Sequence, residues 1–305
     1  MPKKIGGTRE EVSLGRVPRF KLHQAIHELH SKGHSISELC RVANISRQAH
    51  YNYLKKEPSE RERTNELIAD TIAGIYLEVK GIYGYRMMQL VVNRRLQATY
   101  NLKRIYRLMR LMGLKSVTRK KRRQYKKSSP GHVAENLLNR KFTALRKNQK
   151  WLTDVTEFKY GDGQKAYLSA ILDLYDNSIV AYVIGKRNNN KLVFSTLQAA
   201  LKANPEAQPL IHSDRGFQYT SYGFAKIITN QGMIQSMSRV SRCIDNGPME
   251  GFWGKLKAER YNLRKYYESY EDLVADVSDY IRFYNEERPQ RKFSGLTPME
   301  YRMCA

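Results

Sequence analysis

Three carboxylates occupy positions where chemistry is commonly built. Asp154 lies midway along Trp151-Leu152-Thr153-Asp154-Val155-Thr156-Glu157-Phe158, whose alternation predicts a strand. Asp214 closes the short apolar run 209–214, directly before Arg215-Gly216. Glu250 falls in the first turn of a helix opened by Asn246-Gly247-Pro248, with Pro248 in a tolerated first-turn position. Strand ends and helix starts are where open α/β sheets form sites. Acids from three elements converge only if their repulsion is offset, because two like charges about 4 Å apart cost roughly 4 kcal/mol at an effective dielectric of about 20. Divalent cations supply the offset, and hard carboxylate oxygens select Mg²⁺ or Mn²⁺. Two such ions about 4 Å apart stabilise the attacking and leaving oxygens of a phosphodiester displacement, with no covalent protein nucleophile.

Other acids compete for these places. Glu157 is three residues from Asp154 in the same strand and faces the other side. Asp162 and Asp176 fall in turns, and Asp245 reads as a helix cap. Asp173, within the neighbouring strand, is a rival that spacing leaves open. His212-Ser213-Asp214 is not a hydrolase triad, since neighbours in a strand point to opposite faces. Lys257, seven residues after Glu250 and almost two helical turns on, is placed to hold a phosphate or to remain a solvated lysine.

The elements that must position these acids follow an α/β order after residue 151. Strands are expected at 151–158, 166–175 and 178–184, with Gly161-Asp162-Gly163 and Asp176-Asn177 as turns. Helices at 191–202 and 222–230 alternate with short strands at 209–214 and 234–237. A helix from Pro248 to about Tyr261 and another at 270–285 complete the core. A three-strand meander followed by alternating helices and strands is the order of an RNase H-like α/β fold.

Ahead of the core the pattern is helical. Ala25, Ile26 and Leu29 predict an inward face ended by Lys32-Gly33. A short helix around Ile36–Ala43 turns at Asn44 into one capped by Ser46. That pair suits a helix-turn-helix with Ala49, Tyr53 and Leu54 inward, and Arg47, Gln48, His50, Asn52 and Lys55 toward a DNA groove. A second helical block covers 65–114, with Leu67, Ile68, Ile72, Ile75 and Tyr76 on one face. Its Arg86 and the basic side of 103–110, which includes Arg104, face outward. Residues 115–127 hold eight Lys or Arg, Lys120 and Arg122 among them, and no acid. Such a run reads as a linker lying along phosphates, or as a solvated tether, and 128–150 as its partly helical, basic continuation.

Charge agrees with that division. The 305 residues carry a net +25, with 34 basic and 11 acidic side chains in 1–150 against 20 and 18 in 151–305. An apolar content of 41% excludes a wholly disordered basic protein. No stretch approaches the roughly 20 apolar residues of a membrane span. No apolar signal region follows the N-terminal lysines. Three scattered cysteines, Cys40, Cys243 and Cys304, fit a reducing cytosol. Nucleic acid is the expected partner.

The acid motifs carry a family likeness. Asp154, Asp214 and, after 35 intervening residues, Glu250 resemble the DD(35)E signature of integrases and bacterial transposases. The segments Trp151–Phe158, His212-Ser213-Asp214-Arg215-Gly216-Phe217-Gln218-Tyr219 and Asp245-Asn246-Gly247-Pro248-Met249-Glu250-Gly251-Phe252-Trp253-Gly254-Lys255-Leu256-Lys257, preceded by Met237-Ser238-Arg239, resemble the three motifs of insertion-sequence transposases of the IS-three group. Tyr284-Asn285, Arg288-Pro289 and Gly295-Leu296-Thr297-Pro298 are similar to the group's closing motif, and Gly81-Ile82-Tyr83-Gly84-Tyr85-Arg86 to its preceding helical domain. The likeness covers roughly 35–302. Gly247 and Gly251 depart from the Ala and Ser common in the family, away from the acids.

The resemblance implies an OrfB-type catalytic protein with a retroviral-integrase-like core binding Mg²⁺, with Mn²⁺ as substitute and two ions. It implies Asp154, Asp214 and Glu250 as catalytic metal ligands and Lys257 as a basic DNA contact. The expected activity is cleavage and joining of DNA at an element's terminal repeats and at target DNA, by a homo-oligomer on DNA in the bacterial cytoplasm at the nucleoid. The absence of a sustained leucine heptad points to a first-reading-frame partner protein. The expected organisation is a basic arm at 1–19, helix-turn-helix at 20–58, second DNA-binding domain at 62–114, linker at 115–150, core at 151–285 and tail at 286–305. A structure-selective nuclease and a helix-turn-helix regulator with a non-catalytic core are the alternatives.

Overall fold

A computed structural model describes residues 18–55, 57–118, 135–239, 243–264 and 266–304. Lys120 and Arg122 lie outside the described residues. The chain divides into a unit of residues 1–67 and a unit of residues 68–305.

In the first unit, α1 (Arg19–Ser31), α2 (Ile36–Val42) and α3 (Arg47–Lys55) follow one another closely. Gly33 (φ 97°) ends the first helix, and Asn44 (φ 53°) makes the turn between the other two. Ser46 Oγ accepts from Ala49 N at 3.1 Å, so Ser46 caps α3 as its sequence predicts. The inward faces differ from expectation. His23 and Ile26 of α1 are buried while Ala25 and Leu29 face outward, and on α3 His50 is buried while Ala49 and Leu54 are exposed. The cause is a local partner: His50 Nδ1 lies 3.2 Å from His23 Nδ1, and Tyr53 stacks on His23 with centroids 4.5 Å apart. His50 is therefore a core residue and not a groove-reading one, whereas Arg47, Gln48, Asn52 and Lys55 are exposed.

Burial lowers the pKa of His23 and His50; Arg19 pushes the first down further, and His23, His27 and His30 the second. The folded unit thus resists protons that the unfolded chain accepts. Its stability is complete above the ordinary imidazole value of about 6.5 and is lost as pH falls through it. Amide exchange across α1–α3 is expected to accelerate below that pH relative to the β-sheet, after correction for intrinsic rates. Parallel pH dependences in the two regions would contradict this.

The second unit begins within α4 (Glu60–Glu78), which with α5 (Tyr85–Arg95) and α6 (Leu102–Leu111) encloses Ile68, Ile72, Ile75, Met88, Val92 and Ile105. Leu67, expected on the inward face, is 52% exposed. Ile105, Leu108 and Met109 turn inward on α6, which leaves Lys103, Arg107 and Arg110 outside.

The core sheet has the order β3-β2-β1-β4-β5. Its strands are β1 (Lys150–Tyr160), β2 (Gln164–Asp173), β3 (Ile179–Gly185), β4 (Leu210–Ser213) and β5 (Ile234–Met237). The first three form an antiparallel meander, and β4 and β5 run parallel to β1. This is the RNase H-like arrangement. Alternation along β1 sends Trp151 to one face, beneath α7 (Asn190–Ala203) and α8 (Tyr222–Asn230). Leu152 and Phe158 go to the other, beneath α9 (Gly247–Leu256) and α10 (Tyr270–Glu286). Asp154 shares the parity of Leu152 and therefore the α9 face.

Two flanking segments belong to the core more closely than a linker and a tail would. The described part of the connection, 135–149, contains no helix, contrary to expectation. Asn139, Arg140 and Asn148 adopt positive φ, and Leu138 is buried with its N–H donating to Ser236 Oγ. At the other end, α11 (Pro298–Met303) sends Arg302 to Asp173 (2.9 Å) and Asp176 (2.7 Å).

Candidate active site

Asp154 stands on the strand that pairs with both β2 and β4, at the centre of the sheet. Its Oδ1 accepts from Val155 N at 2.8 Å and its Oδ2 from Trp253 Nε1 at 2.9 Å. Asp214 follows β4 directly, and its Oδ1 accepts from Gly216 N at 2.8 Å. A Cβ on Gly216 would stand 3.0 Å from that same oxygen and from Gln218 Oε1, so a larger residue there would crowd the Asp214 carboxylate. Glu250 sits in the first turn of α9, whose start is tied to β1 by Asn246 Nδ2 donating to Thr153 O.

Electrostatics link the three. The Asp154 carboxyl is pushed up to about 7, first by burial and next by the charge of Asp214; Glu250 adds to the rise, and the hydrogen bonds from Trp253 and Val155 oppose it. Surrounding protein atoms also raise Asp214 and Glu250, although both side chains reach solvent. No Lys or Arg forms an ion pair with any of the three among the described residues. As they stand, no group of three or more His, Cys, Asp or Glu among the described residues is gathered tightly enough to hold a metal. The donor chemistry, three carboxylates without an ion-pair partner among the described residues, two of which repel the charge of Asp154, still fits a hard divalent ion.

The competing acids have other partners. Asp173 is fully buried and accepts from Asn148 N, Tyr175 N and Arg302, which removes it as a rival. Glu157 pairs with Lys165 at 3.1 Å. Asp245 is not a helix cap: Asn246 holds the cap position, and the buried Asp245 carboxylate binds Arg239, Arg140 and Asn136. The Arg239 guanidinium, ahead of Arg140, holds that carboxyl well below the usual range. His212 Nδ1 and Nε2 lie 2.9 and 3.1 Å from the hydroxyls of Ser236 and Ser238, so its ring nitrogens are used within the sheet.

Lys257 begins a π-helical turn, Lys257–Tyr261, that replaces the expected continuation of the α-helix to Tyr261. Its Nζ lies 5.5 Å from the centroid of the Phe158 ring. Burial lowers its pKa, and the charges of Asp154 and Glu157 partly restore it. Arg86 is exposed beside Tyr85, and Arg104 is half-buried over the Tyr100 ring. Of the basic residues on these helices, Arg94 and Arg95 pair with Glu300 and Glu78. Trp253, the partner of Asp154, was not singled out from sequence; its position three residues after Glu250, one helical turn on, was the available signal.

Comparison with known proteins places this site in context. Residues 144–243 and 250–304 match models of an integrase core domain, and 62–122 match an HTH-like domain. The HTH-like match thus falls on α4–α6, the second helical block. The chain is 38% identical to the putative transposase InsK for insertion sequence element IS150 of Escherichia coli K12, over 88% of this chain and 93% of that protein. It is 41% identical to an uncharacterized transposase-like protein of Haemophilus influenzae, over 66% and 93% respectively. It is 28% identical to the transposase InsF for insertion sequence IS3A of E. coli K12, over 90% and 96%.

Proposed function

Since the chain belongs to the insertion-sequence transposases with an integrase core, acting in DNA transposition, we propose that Asp154, Asp214 and Glu250 are its catalytic acids and hold Mg²⁺. Mn²⁺ substitutes, and two ions bind. The observation that carries this reading is placement: Asp154 on β1, Asp214 directly after β4 and Glu250 in the first turn of α9, whose Trp253 bonds Asp154, stand close enough for Asp214 and Glu250 to raise the buried Asp154 carboxyl, with no ion pair to any of them among the described residues. When bound, divalent ions supply stabilisation of charge on the attacking and leaving oxygens of a phosphodiester.

The chain's own residues supply placement. Val155 N–H and Gly216 N–H orient the two aspartates. Lys257, over Phe158 and within the field of Asp154, offers its ammonium to a DNA phosphate. Water is the nucleophile in cleavage and a DNA 3′-hydroxyl in joining, with no covalent protein–DNA link. The exposed Arg47, Gln48, Lys55 and Arg86, together with Arg104, contact DNA. The residues 115–127, Lys120 and Arg122 included, track its backbone. We further assign a helix-turn-helix to 20–58 and action as a homo-oligomer on the element's terminal repeats and target DNA, with a first-reading-frame partner. No helix among the described residues is long and apolar enough to cross a membrane.

Joining separates this reading from a nuclease. Labelled oligonucleotides carrying the element's terminal repeat are expected to give covalent strand-transfer products with plasmid target in Mg²⁺ or Mn²⁺. Cleavage without any joined product would favour a structure-selective nuclease.

A further inference from the structure

One contact at the site has no place in the mechanism above. Trp253 Nε1 donates to Asp154 Oδ2 at 2.9 Å, across 99 positions of sequence. The indole is 7% exposed and packs against Phe252, with ring centroids 5.0 Å apart. Trp253 stands on α9, one turn beyond Glu250. The helix that carries one acid therefore holds the carboxylate of another.

The chemistry of the donor is informative. An indole N–H donates only, so it neither ligates a cation nor accepts a proton. A buried tryptophan needs some acceptor, and a backbone carbonyl would serve. Here the acceptor is a carboxylate already opposed by Asp214 and Glu250. With Val155 N–H on Oδ1, the second donor on Oδ2 fixes the carboxylate plane at both oxygens while leaving lone pairs on each.

We propose that Trp253 is a positioning residue that holds Asp154 in the orientation a divalent cation requires and ties it to the helix bearing Glu250. This rests on the assignment of Asp154 as a metal ligand. Replacing hydrogen-bond partners of metal ligands typically weakens metal binding 10–100-fold. The Trp253 N–H, rather than its ring, carries the effect.

Mn²⁺ binding to the full chain, measured by electron paramagnetic resonance of the free ion without DNA, tests this with Trp253→Phe and Asp154→Asn beside wild type. Trp253→Phe keeps an aromatic ring and loses the N–H. Its Mn²⁺ affinity is expected to fall about 10-fold or more. The Mn²⁺ concentration giving half-maximal cleavage rises in step, while the rate at saturating Mn²⁺ falls much less. Unchanged Mn²⁺ affinity in Trp253→Phe, with affinity lost in Asp154→Asn, would overturn the proposal and leave the triad standing. Unchanged affinity in both would overturn the triad assignment as well. A Mg²⁺ titration of wild type, read by tryptophan emission, keeps the test free of substitution. Emission is expected to change saturably, with the dissociation constant that Mg²⁺ shows in competition against bound Mn²⁺, and a flat signal with metal bound would contradict the coupling.

Discussion

Asp154→Asn and Glu250→Gln are each expected to lower strand cleavage by about three orders of magnitude and to leave DNA affinity near wild type. Metal stabilisation of the transition state is worth several kcal/mol, and each ~1.4 kcal/mol is tenfold in rate. Both substitutions preserve volume and remove the charge proposed to hold the ion. DNA affinity is expected to rest on other surfaces: Arg47, Gln48 and Lys55 are exposed on α3 and Arg86 on α5, and the basic excess lies in residues 1–150. Asp154→Asn is also expected to stay folded. The Asp154 carboxylate is held up to about 7 by burial and by Asp214, so its charge opposes folding in the absence of metal. An amide relieves that repulsion, but its single oxygen accepts from either Trp253 Nε1 or Val155 N and not from both. The metal-free Asp154→Asn protein is therefore expected to melt close to the wild-type temperature. Gel shift, cleavage and melting measured together check this; loss of cleavage accompanied by a lowered melting temperature would assign Asp154 to structure instead.

Arg288→Ala is expected to destabilise the core unit by roughly 3–5 kcal/mol, the usual cost of stranding one member of a buried ion pair. The Arg288 and Glu259 side chains are 8% and 11% exposed and meet at 2.6 Å, and Tyr280 adds its hydroxyl to Glu259 at 2.9 Å. Glu259 lies in the π-helical turn that follows the Glu250 helix, so the pair anchors that turn to the segment after α10. For a unit of this size the melting temperature falls by roughly 10 °C. Calorimetry of Arg288→Ala beside the double variant Glu259→Gln/Arg288→Met reads the two contributions apart. The double variant, which leaves no buried charge unpaired, recovers most of the loss. A melting temperature unchanged in Arg288→Ala would contradict the account.

What was legible in the sequence was local. Helix α8 and strand β5 occupy the expected 222–230 and 234–237, bounded by Ser221 and the Gly232 turn. The strand pattern also placed Asp154 on one parity and Glu157 on the other. Features decided by distant partners were not legible. His50 reads as an outward polar residue until His23, 27 positions away, supplies its hydrogen-bonding neighbour. Asp245 reads as a cap because Arg140, 105 positions away, cannot be seen beside it. The irregular path of 135–149 follows the same rule, since Leu138 is held by Ser236 on the core sheet. Asp173 resembled a site acid until Arg302, 129 positions away, closed it off.

Three carboxylates acting as one metal-dependent site would both cut and join DNA. Supercoiled plasmid carrying the element's terminal repeats, incubated in Mg²⁺ or Mn²⁺ with wild type or Glu250→Gln, tests this most directly, with gel-shift binding on the same preparations. The account predicts nicked and joined products from wild type, neither from Glu250→Gln, and equal binding by both. Equal product from both proteins, or no product from wild type despite normal binding, would contradict it.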